Sequence, residues 1–168
     1  PIMQAIVRQT YGTSDALQII DADKPTPGPG EVLVKVHGSS VNMGDRLVMQ
    51  GIPYVMRLTL GLSPKQAGQG QDVAGIVEAI GDGVTDFEVG DGIYGEHTGG
   101  QTWAEYAVVP ADKMARAPEG ISLTEAAALP VAAMTALQAV RDHGGVEAGH
   151  KVLVNGGSGS VGAYVVQI

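Results

Sequence analysis

A glycine-rich segment near the C-terminal end of the sequence has the residue types and spacing of a phosphate-binding turn. Gly157-x-Gly159-x-x-Gly162 lies between an apolar run over residues 151–155 and a second apolar run that is typical of a helix. In this pattern the first glycine allows a tight turn, the second lets the backbone approach a pyrophosphate, and the third lets the helix pack closely. The helix N-terminus then offers free N–H groups to phosphate oxygens. The residues that we expect to contact a dinucleotide are Gly157, Ser158, Gly159, Ser160, Val161 and Gly162.

A tyrosine in a long irregular segment is the candidate for polarising a substrate carbonyl. Residues 53–71 are long for a bare loop, and long loops in compact domains are often functional. The phenol of Tyr54 has a reference pKa of about 10, so it stays protonated at neutral pH and can donate a hydrogen bond to a developing oxyanion. The alternative is a tyrosine that only packs on the surface of the loop.

Composition excludes several classes of function. The 168 residues carry a net charge of −8, which disfavours nucleic acid and anionic membranes as partners because both require a basic surface. The sequence contains no cysteine, so it has no disulfide, no thiol nucleophile and no thiolate zinc ligand. It opens with no basic-then-apolar leader pattern and has no apolar run of membrane-spanning length. We therefore expect a cytoplasmic protein.

The order of apolar runs predicts a β-barrel followed by helices. Short β-branched runs separated by glycines are typical of a barrel. After Pro118, Ser122 and Glu125 have the spacing of a helix capping box, Pro130 should interrupt the helix, and glycines should end it just after His143. We expect strands over residues 4–7, 16–20, 31–38, 72–80, 102–110 and 151–155.

Five segments in chain order, together with the glycine turn, resemble the medium-chain dehydrogenase/reductase superfamily. The segments are residues 27–36, 40–45, 70–77, 83–91 and 126–137. The resemblance extends over essentially the whole chain and implies a mixed α/β fold. It implies a GroES-like catalytic β-barrel over residues 1–118. Residues 119–168 would then form a connecting helix and the first β-α segment of an incomplete Rossmann dinucleotide-binding domain.

The resemblance favours a branch of the superfamily that works without zinc. The zinc-dependent branch has a cysteine where this chain has Asn42 and a histidine where it has Gln71, and its cysteine-rich structural lobe has no counterpart here. The four histidines show no spacing typical of metal ligands. The chain thus resembles the quinone reductase-like branch, which implies no bound metal and NADPH rather than NAD as cofactor.

The same resemblance implies that Asn42 and Thr135 lie beside the nicotinamide. The amide of Asn42 would orient the cofactor or donate a hydrogen bond to an acceptor oxygen, and the alternative is a turn or cap residue. The alternative for Thr135 is a mid-helix threonine bonded to a backbone carbonyl. Asp45 is expected to be an exposed, ionised hydrogen-bond acceptor with a pKa of about 4.

The predicted function is hydride transfer from NAD(P)H to a quinone, an enone or a related activated alkene or carbonyl, with Tyr54 and Asn42 at the reacting centre. One alternative is an enoyl-thioester reductase on the same scaffold, for which the sequence shows no basic patch. A second is a non-catalytic GroES-like binding module. The chain ends six residues after Gly162. We therefore expect this segment alone to be inactive and a homodimer to form through the rest of the Rossmann domain.

Overall fold

The computed structural model describes residues 1–62 and 67–168. Its strands are β1 (Ile2–Arg8), β2 (Leu17–Asp23), β3 (Glu31–Gly38), β4 (Ala67–Gly68), β5 (Asp72–Ile80), β6 (Gly92–Glu96), β7 (Tyr106–Pro110) and β8 (Met114–Arg116). Its α-helices are α1 (Met43–Gln50), α2 (Arg57–Leu60), α3 (Leu123–Ala126), α4 (Pro130–Leu137) and α5 (Ser160–Gln167). Single 3₁₀ turns lie at Ser14–Ala16, Tyr54–Met56 and Ala111–Lys113, and α4 continues as a π-helix over Gln138–His143.

The strands form two antiparallel sheets. Three strands pair in the order β2-β1-β4 and five in the order β7-β3-β5-β6-β8. The central strands β3 and β5 are rich in β-branched residues, which pack well on a pleated surface and bury apolar area against the core. The apolar side chains of the larger sheet that are at most 1% exposed are Val32, Val34, Val73, Ala74, Val77, Ile93 and Val109.

The segment 103–105 joins the two sheets. The Glu105 N–H donates to the Gln4 carbonyl of β1 at 3.0 Å, and the Glu105 carbonyl accepts from the Val36 N–H of β3 at 2.9 Å. The strand predicted over residues 102–110 is therefore regular only in its second half, as β7, because its first half bridges between sheets. The mixed α/β class predicted from the sequence is confirmed.

The helices after β8 begin and end where the sequence signals indicate. The Ser122 hydroxyl accepts from the Glu125 N–H at 3.2 Å, and the Glu125 carboxylate accepts from the Ser122 N–H at 2.8 Å, which confirms the capping box. Pro130 starts α4 as its first residue, and the π-helix ends at His143. No helix in the described part of the chain combines the length and the apolar character needed to cross a bilayer.

The strand predicted over residues 151–155 is wrong. Within the described residues no backbone ladder joins this run to another strand, and the Leu153 side chain is 94% exposed. A strand requires a hydrogen-bonded neighbour, and a strand of a parallel sheet is normally covered on both faces. The β-branched composition of the run indicates a buried strand, but the described chain supplies no partner for it.

Replacing Gly75 with alanine should destabilise the central pairing of β3 and β5. The new Cβ would lie 2.1 Å from the Lys35 carbonyl oxygen, so the two strands would have to separate. We expect the free energy of unfolding to fall by about 3 kcal/mol. Gly92→Ala on β6 is the matched control, because its nearest new contact would be Leu123 at an ordinary 3.5 Å. Urea unfolding compares the two variants, and equal losses would contradict the steric explanation.

Candidate active site

A fully buried carboxylate lies where three elements meet. Asp72, the first residue of β5, is 0% exposed. Its Oδ2 accepts a hydrogen bond from the Ser40 hydroxyl and one of 2.8 Å from the Asn42 amide nitrogen. Its Oδ1 accepts from the Val131 N–H at 2.9 Å. A buried carboxylate is tolerated only when donors surround it, and here all three neighbours donate.

The local sequence explains why these donors converge. Asn42 is the N-cap of α1, and its side chain forms a capping box with Asp45, whose carboxylate accepts from the Asn42 N–H at 2.7 Å. Val131 lies in the first turn of α4, where backbone N–H groups have no acceptor within the helix. Asp72 therefore supplies the acceptor that the start of α4 lacks.

The amide of Asn42 is held by the protein itself. Its Nδ2 donates to the Ser40 hydroxyl oxygen at 3.0 Å and to Asp72 at 2.8 Å. Ser40 Oγ and Asp72 Oδ2 are themselves hydrogen-bonded and lie on the same side of Nδ2, so one N–H of the amide serves both acceptors. The cap role weighed for Asn42 is observed, and its position beside a nicotinamide stays a prediction.

Thr135 is linked to the same network through α4. Its hydroxyl donates to the Val131 carbonyl at 2.6 Å, one helical turn back, as in the structural alternative weighed for it. Thr135 also lines a cavity of 360 Å³ between α4 and the strands β6 and β8. The residues around this cavity are Tyr94, Gly95, Glu96, Asp112, Lys113, Met114, Ala115, Pro130, Val131, Met134, Thr135 and Gln138. A contact between Thr135 and a cofactor stays a prediction.

Asp45 differs from its expected exposed state. It is only 3% exposed, and burial raises the pKa of its carboxyl group. The nearby charge of Asp72 raises this pKa further, while the hydrogen bonds from Asn42 act in the opposite direction. The expected role of Asp45 as a hydrogen-bond acceptor is confirmed by the bond from the Asn42 N–H. The expected exposure and ordinary pKa are wrong, because this side chain is buried in the first turn of α1.

The glycine turn is present, with one change in its assignment. Gly156 has a φ of 78°, a left-handed conformation that favours glycine, so the tight turn depends on Gly156 and not on Gly157. A Cβ at Gly157 would make only ordinary contacts, the nearest at 3.7 Å. A Cβ at Gly162 would lie 2.1 Å from the Gly156 carbonyl oxygen. Gly162 was expected to pack the helix against a strand, but its close neighbour is the glycine turn itself, because residues 151–155 form no strand.

The turn fits the phosphates of a dinucleotide. Gly159 is the N-cap of α5, with Ser160, Val161 and Gly162 in its first turn. The first N–H groups of a helix lack intrahelical acceptors and carry partial positive charge. The missing Cβ atoms leave this backbone open to a pyrophosphate. Contacts to a cofactor from Gly157, Ser158, Gly159, Ser160, Val161 and Gly162 stay predictions.

Tyr54 lies apart from the Asp72 network. It begins a 3₁₀ turn, is 72% exposed, and has the Arg57 guanidinium 4.7 Å from its ring centroid. No described contact joins it to Asn42 or Thr135. Among the described residues none is hydrogen-bonded to its phenol, and the side chain is exposed to solvent. A group that binds a ligand needs this accessibility.

An apolar cavity of 610 Å³ lies beside the start of α1. Trp103 forms part of its wall, with the indole N–H donating to the Ser40 carbonyl at 3.0 Å. The wall also contains Val41, which is adjacent to Asn42 in the chain. The full lining is Ile6, Ser14, Leu17, Ser39, Val41, Arg46, Met49 and Trp103.

Asn42 and Gln71, at the two positions where the zinc-dependent branch has metal ligands, carry neutral amide side chains. The Gln71 side chain lies beside the first turn of α1, where a Cβ on Gly44 would be 3.4 Å from its Oε1. Zinc prefers thiolate, imidazole and carboxylate ligands. No group of three or more His, Cys, Asp or Glu side chains in residues 1–62 and 67–168 is placed to hold a metal ion. Zinc independence of the whole protein stays a prediction.

Sequence reasoning missed Asp72 and Ser40. Both lie in segments used for the family resemblance, but neither was assigned a role. A signal was available, since an aspartate that opens an otherwise apolar run such as residues 72–77 must be buried with donors around it.

Comparisons with known proteins agree with this architecture. The family model of the alcohol dehydrogenase GroES-like domain matches residues 28–119. Human quinone oxidoreductase is 33% identical over 168 residues, which cover 99% of this chain and 49% of that protein. A mycocerosic acid synthase-like polyketide synthase of Mycobacterium tuberculosis is 36% identical over 160 residues, 95% of this chain and 7% of that protein. The chain thus spans about half, or less, of these relatives.

Solved structures show the same fold. A human synaptic vesicle membrane protein VAT-1 homolog-like protein superposes with a TM-score of 0.89 at 30% identity, over 99% of this chain and 52% of that one. Mycobacterial Rv1454c complexed with NADPH superposes with a TM-score of 0.86 at 30% identity, over 98% of this chain and 49% of that one. CurK enoyl reductase superposes with a TM-score of 0.89 at 25% identity, over 98% of this chain and 50% of that one.

Asp45→Asn should remove a pH-dependent loss of stability. Because the folded protein raises the pKa of Asp45, the folded state retains a proton that the unfolded chain releases. This contribution is complete below the unfolded pKa of about 4 and is lost as the pH rises through the folded value. Asparagine keeps an oxygen for the Asn42 N–H. Urea unfolding should therefore show the difference in unfolding free energy between variant and wild type shifting in favour of the variant as the pH rises above about 4. A difference that does not change with pH would contradict this.

Gly162→Ala should disorder the start of α5, whereas Gly157→Ala should not. The first substitution collides with the Gly156 carbonyl, and the second makes ordinary contacts. We expect amide exchange over residues 163–167, whose N–H groups are bonded within the helix, to accelerate at least about tenfold in Gly162→Ala, which corresponds to about 1.4 kcal/mol of local stability. Equal exchange rates in the two variants would show that the close approach of Gly162 to Gly156 does not constrain the turn.

Proposed function

Because the chain belongs to the medium-chain dehydrogenase/reductase superfamily, with an alcohol dehydrogenase GroES-like domain over residues 28–119, we propose that the complete protein is an NADPH-dependent reductase of quinones or enones. The superfamily relatives include oxidoreductases, so an oxidoreductase is the general class. The quinone or enone substrate, the choice of NADPH, the absence of a metal, a homodimer and a cytoplasmic location are parts of this proposal.

The observation that carries the proposal is the glycine turn at the start of α5. Gly156 and Gly162 occupy positions where a side chain is strained or has no room, and Gly159 caps the helix. This leaves an open backbone facing any anion at the helix N-terminus. A solved relative at 30% identity is complexed with NADPH, which supports the same cofactor here. When bound, that cofactor would supply the hydride.

The described residues support an apolar acceptor. The cavity beside Val41 and Trp103 is lined mainly by aliphatic and aromatic side chains. Apolar pockets with a few polar groups are typical of small-molecule sites. Tyr54, with its exposed phenol, would donate a hydrogen bond to the oxygen of the reduced acceptor, where negative charge develops. Rate enhancement would come mainly from orientation and from this donor, with no covalent step to the protein.

A second candidate is an enoyl-thioester reductase. CurK enoyl reductase, at 25% identity, favours this candidate by its name. A thioester carrier bears phosphate groups, which require cationic side chains. Arg57 lies beside Tyr54, but its guanidinium donates to the Gln50 and Gly51 carbonyls at 3.1 Å. These bonds use two of the five guanidinium N–H donors and leave its charge in place, so the choice between the two candidates rests on the rates measured with each class of acceptor.

The full-length protein should oxidise NADPH with quinones and enones, and Tyr54→Phe should lower kcat/KM by about tenfold to a hundredfold. The phenyl ring keeps the packing on Arg57 and removes only the donor. Tyr106→Phe on β7 is the matched control, because it removes a phenol elsewhere. Initial rates with NADPH and NADH and with quinone, enone and enoyl-thioester panels provide the measurement.

Each outcome separates the candidates. Turnover confined to enoyl thioesters would replace the quinone or enone proposal by the second candidate. Unchanged kcat/KM in Tyr54→Phe across all acceptors would remove Tyr54 from the reacting centre. Failure of the full-length protein to bind either cofactor would contradict reductase function and favour a non-catalytic GroES-like binding module.

A further inference from the structure

One cation lies in the wall of the apolar cavity of 610 Å³ beside the start of α1, which we call the α1 cavity. Among its lining residues Arg46 alone is charged, and the others are aliphatic, sulfur-containing or aromatic side chains and two serines. Arg46 and Met49 are three residues apart on α1, so they project from the same face of the helix. The helix therefore brings a guanidinium to the edge of an otherwise apolar wall.

The Arg46 guanidinium has no partner within the protein. It carries five N–H donors, yet it forms no side-chain hydrogen bond and no ion pair in the described part of the chain. The four remaining residues, 63–66, include no Asp or Glu that could pair with it. Arg116 and Arg141, by contrast, are each paired with an aspartate. The donors of Arg46 are thus available to a ligand in the α1 cavity.

The acidic neighbours of Arg46 do not neutralise it. Asp45 precedes it in the chain, but that side chain is only 3% exposed and accepts from the Asn42 N–H inside the first turn of α1. Asp15, next to Ser14 of the cavity wall, is exposed to solvent, and no ion pair joins it to Arg46. Salt screens exposed charges beyond about 8 Å, so an anion in direct contact with Arg46 responds mainly to that guanidinium.

We propose that the α1 cavity binds the apolar chain of a carboxylic acid whose carboxylate contacts Arg46. This inference rests on the proposed function and narrows its substrate class to a quinone or enone that carries an apolar chain with a carboxylate. A guanidinium matches a carboxylate through two parallel hydrogen bonds. It balances one negative charge, whereas a phosphate group brings nearly two. Arg46 is thus a specificity-determining residue, and Val41 in the same wall connects the cavity to Asn42.

A matched pair of ligands without a reactive group tests the binding site directly. Decanoate and decanamide have the same chain, but only decanoate is charged. We expect the full-length protein to bind decanoate roughly fivefold more tightly than decanamide, the effect of one partly exposed ion pair. Arg46→Gln should bring this ratio to about one, whereas Arg46→Lys, which keeps the charge, should retain part of it.

Trp103 reports whether the ligand enters the cavity. Its indole forms part of the wall, so tryptophan fluorescence should change on titration, and Trp103→Phe should remove that change. Affinity should also rise along the series from hexanoate to decanoate, by up to about fourfold for each buried methylene. An ion pair on the open surface would show neither effect. Arg141→Gln is the matched control, because Arg141 is paired with Asp142 outside the cavity.

Turnover tests the substrate class. The acceptors are an enone that carries a carboxylate at the end of an alkyl chain and the methyl ester of the same compound, each assayed with NADPH. We expect the wild type to favour the acid by roughly fivefold in kcat/KM and Arg46→Gln to treat the two equally. The difference should lie in KM, since the carboxylate is remote from the reacting atoms and binds equally in the ground and transition states.

Equal affinities for decanoate and decanamide in the wild type would overturn the proposal, as would a wild-type ratio in Arg46→Gln or a loss of the ratio in Arg141→Gln. A protein that reduces enones yet shows one of these results retains the proposed function and loses only the role of Arg46. Binding of decanoate through Arg46 without NADPH oxidation by any acceptor would overturn the proposed function and the substrate class, while the binding site would stand. Preference for the acid in binding and in turnover, lost in Arg46→Gln alone, supports the proposal.

Discussion

The arrangement of the candidate site depends on the burial of one carboxylate. Asp72 is fully buried, and no described cation pairs with it. Removing a carboxylate from water costs several kcal/mol unless donors replace the lost hydration. The hydroxyl of Ser40, the amide of Asn42 and the N–H of Val131 supply them. The start of α1, the start of β5 and the start of α4 must therefore meet at one point.

Backbone geometry imposes the second constraint. At Gly162 the first turn of α5 approaches the Gly156 carbonyl so closely that only glycine fits, and Gly156 adopts a conformation that favours glycine. α5 in turn packs on α4, and the Tyr164 hydroxyl donates to the Ala128 carbonyl at 3.3 Å. The proposed phosphate site and the Asp72 network are thus connected through α4, the helix that carries Thr135.

Local signals predicted much of the fold, whereas contacts between distant residues explain the differences. The β-branched runs predicted β3 and β5, and the spacing of Ser122 and Glu125 predicted the start of α3, because each depends on residues close in sequence. Asp72 is 30 residues from Asn42 and 59 from Val131, so no local pattern reveals their hydrogen bonds. The run over residues 151–155 has the composition of a strand, but pairing depends on a neighbour and none is described.

The most direct test of the account is a structure of the complete protein with bound NADPH. The account predicts the pyrophosphate within hydrogen-bond distance of the backbone N–H groups at residues 160–162, and the nicotinamide beside Asn42 and Thr135. A pyrophosphate bound away from the start of α5, or a nicotinamide remote from both side chains, would contradict the central claim.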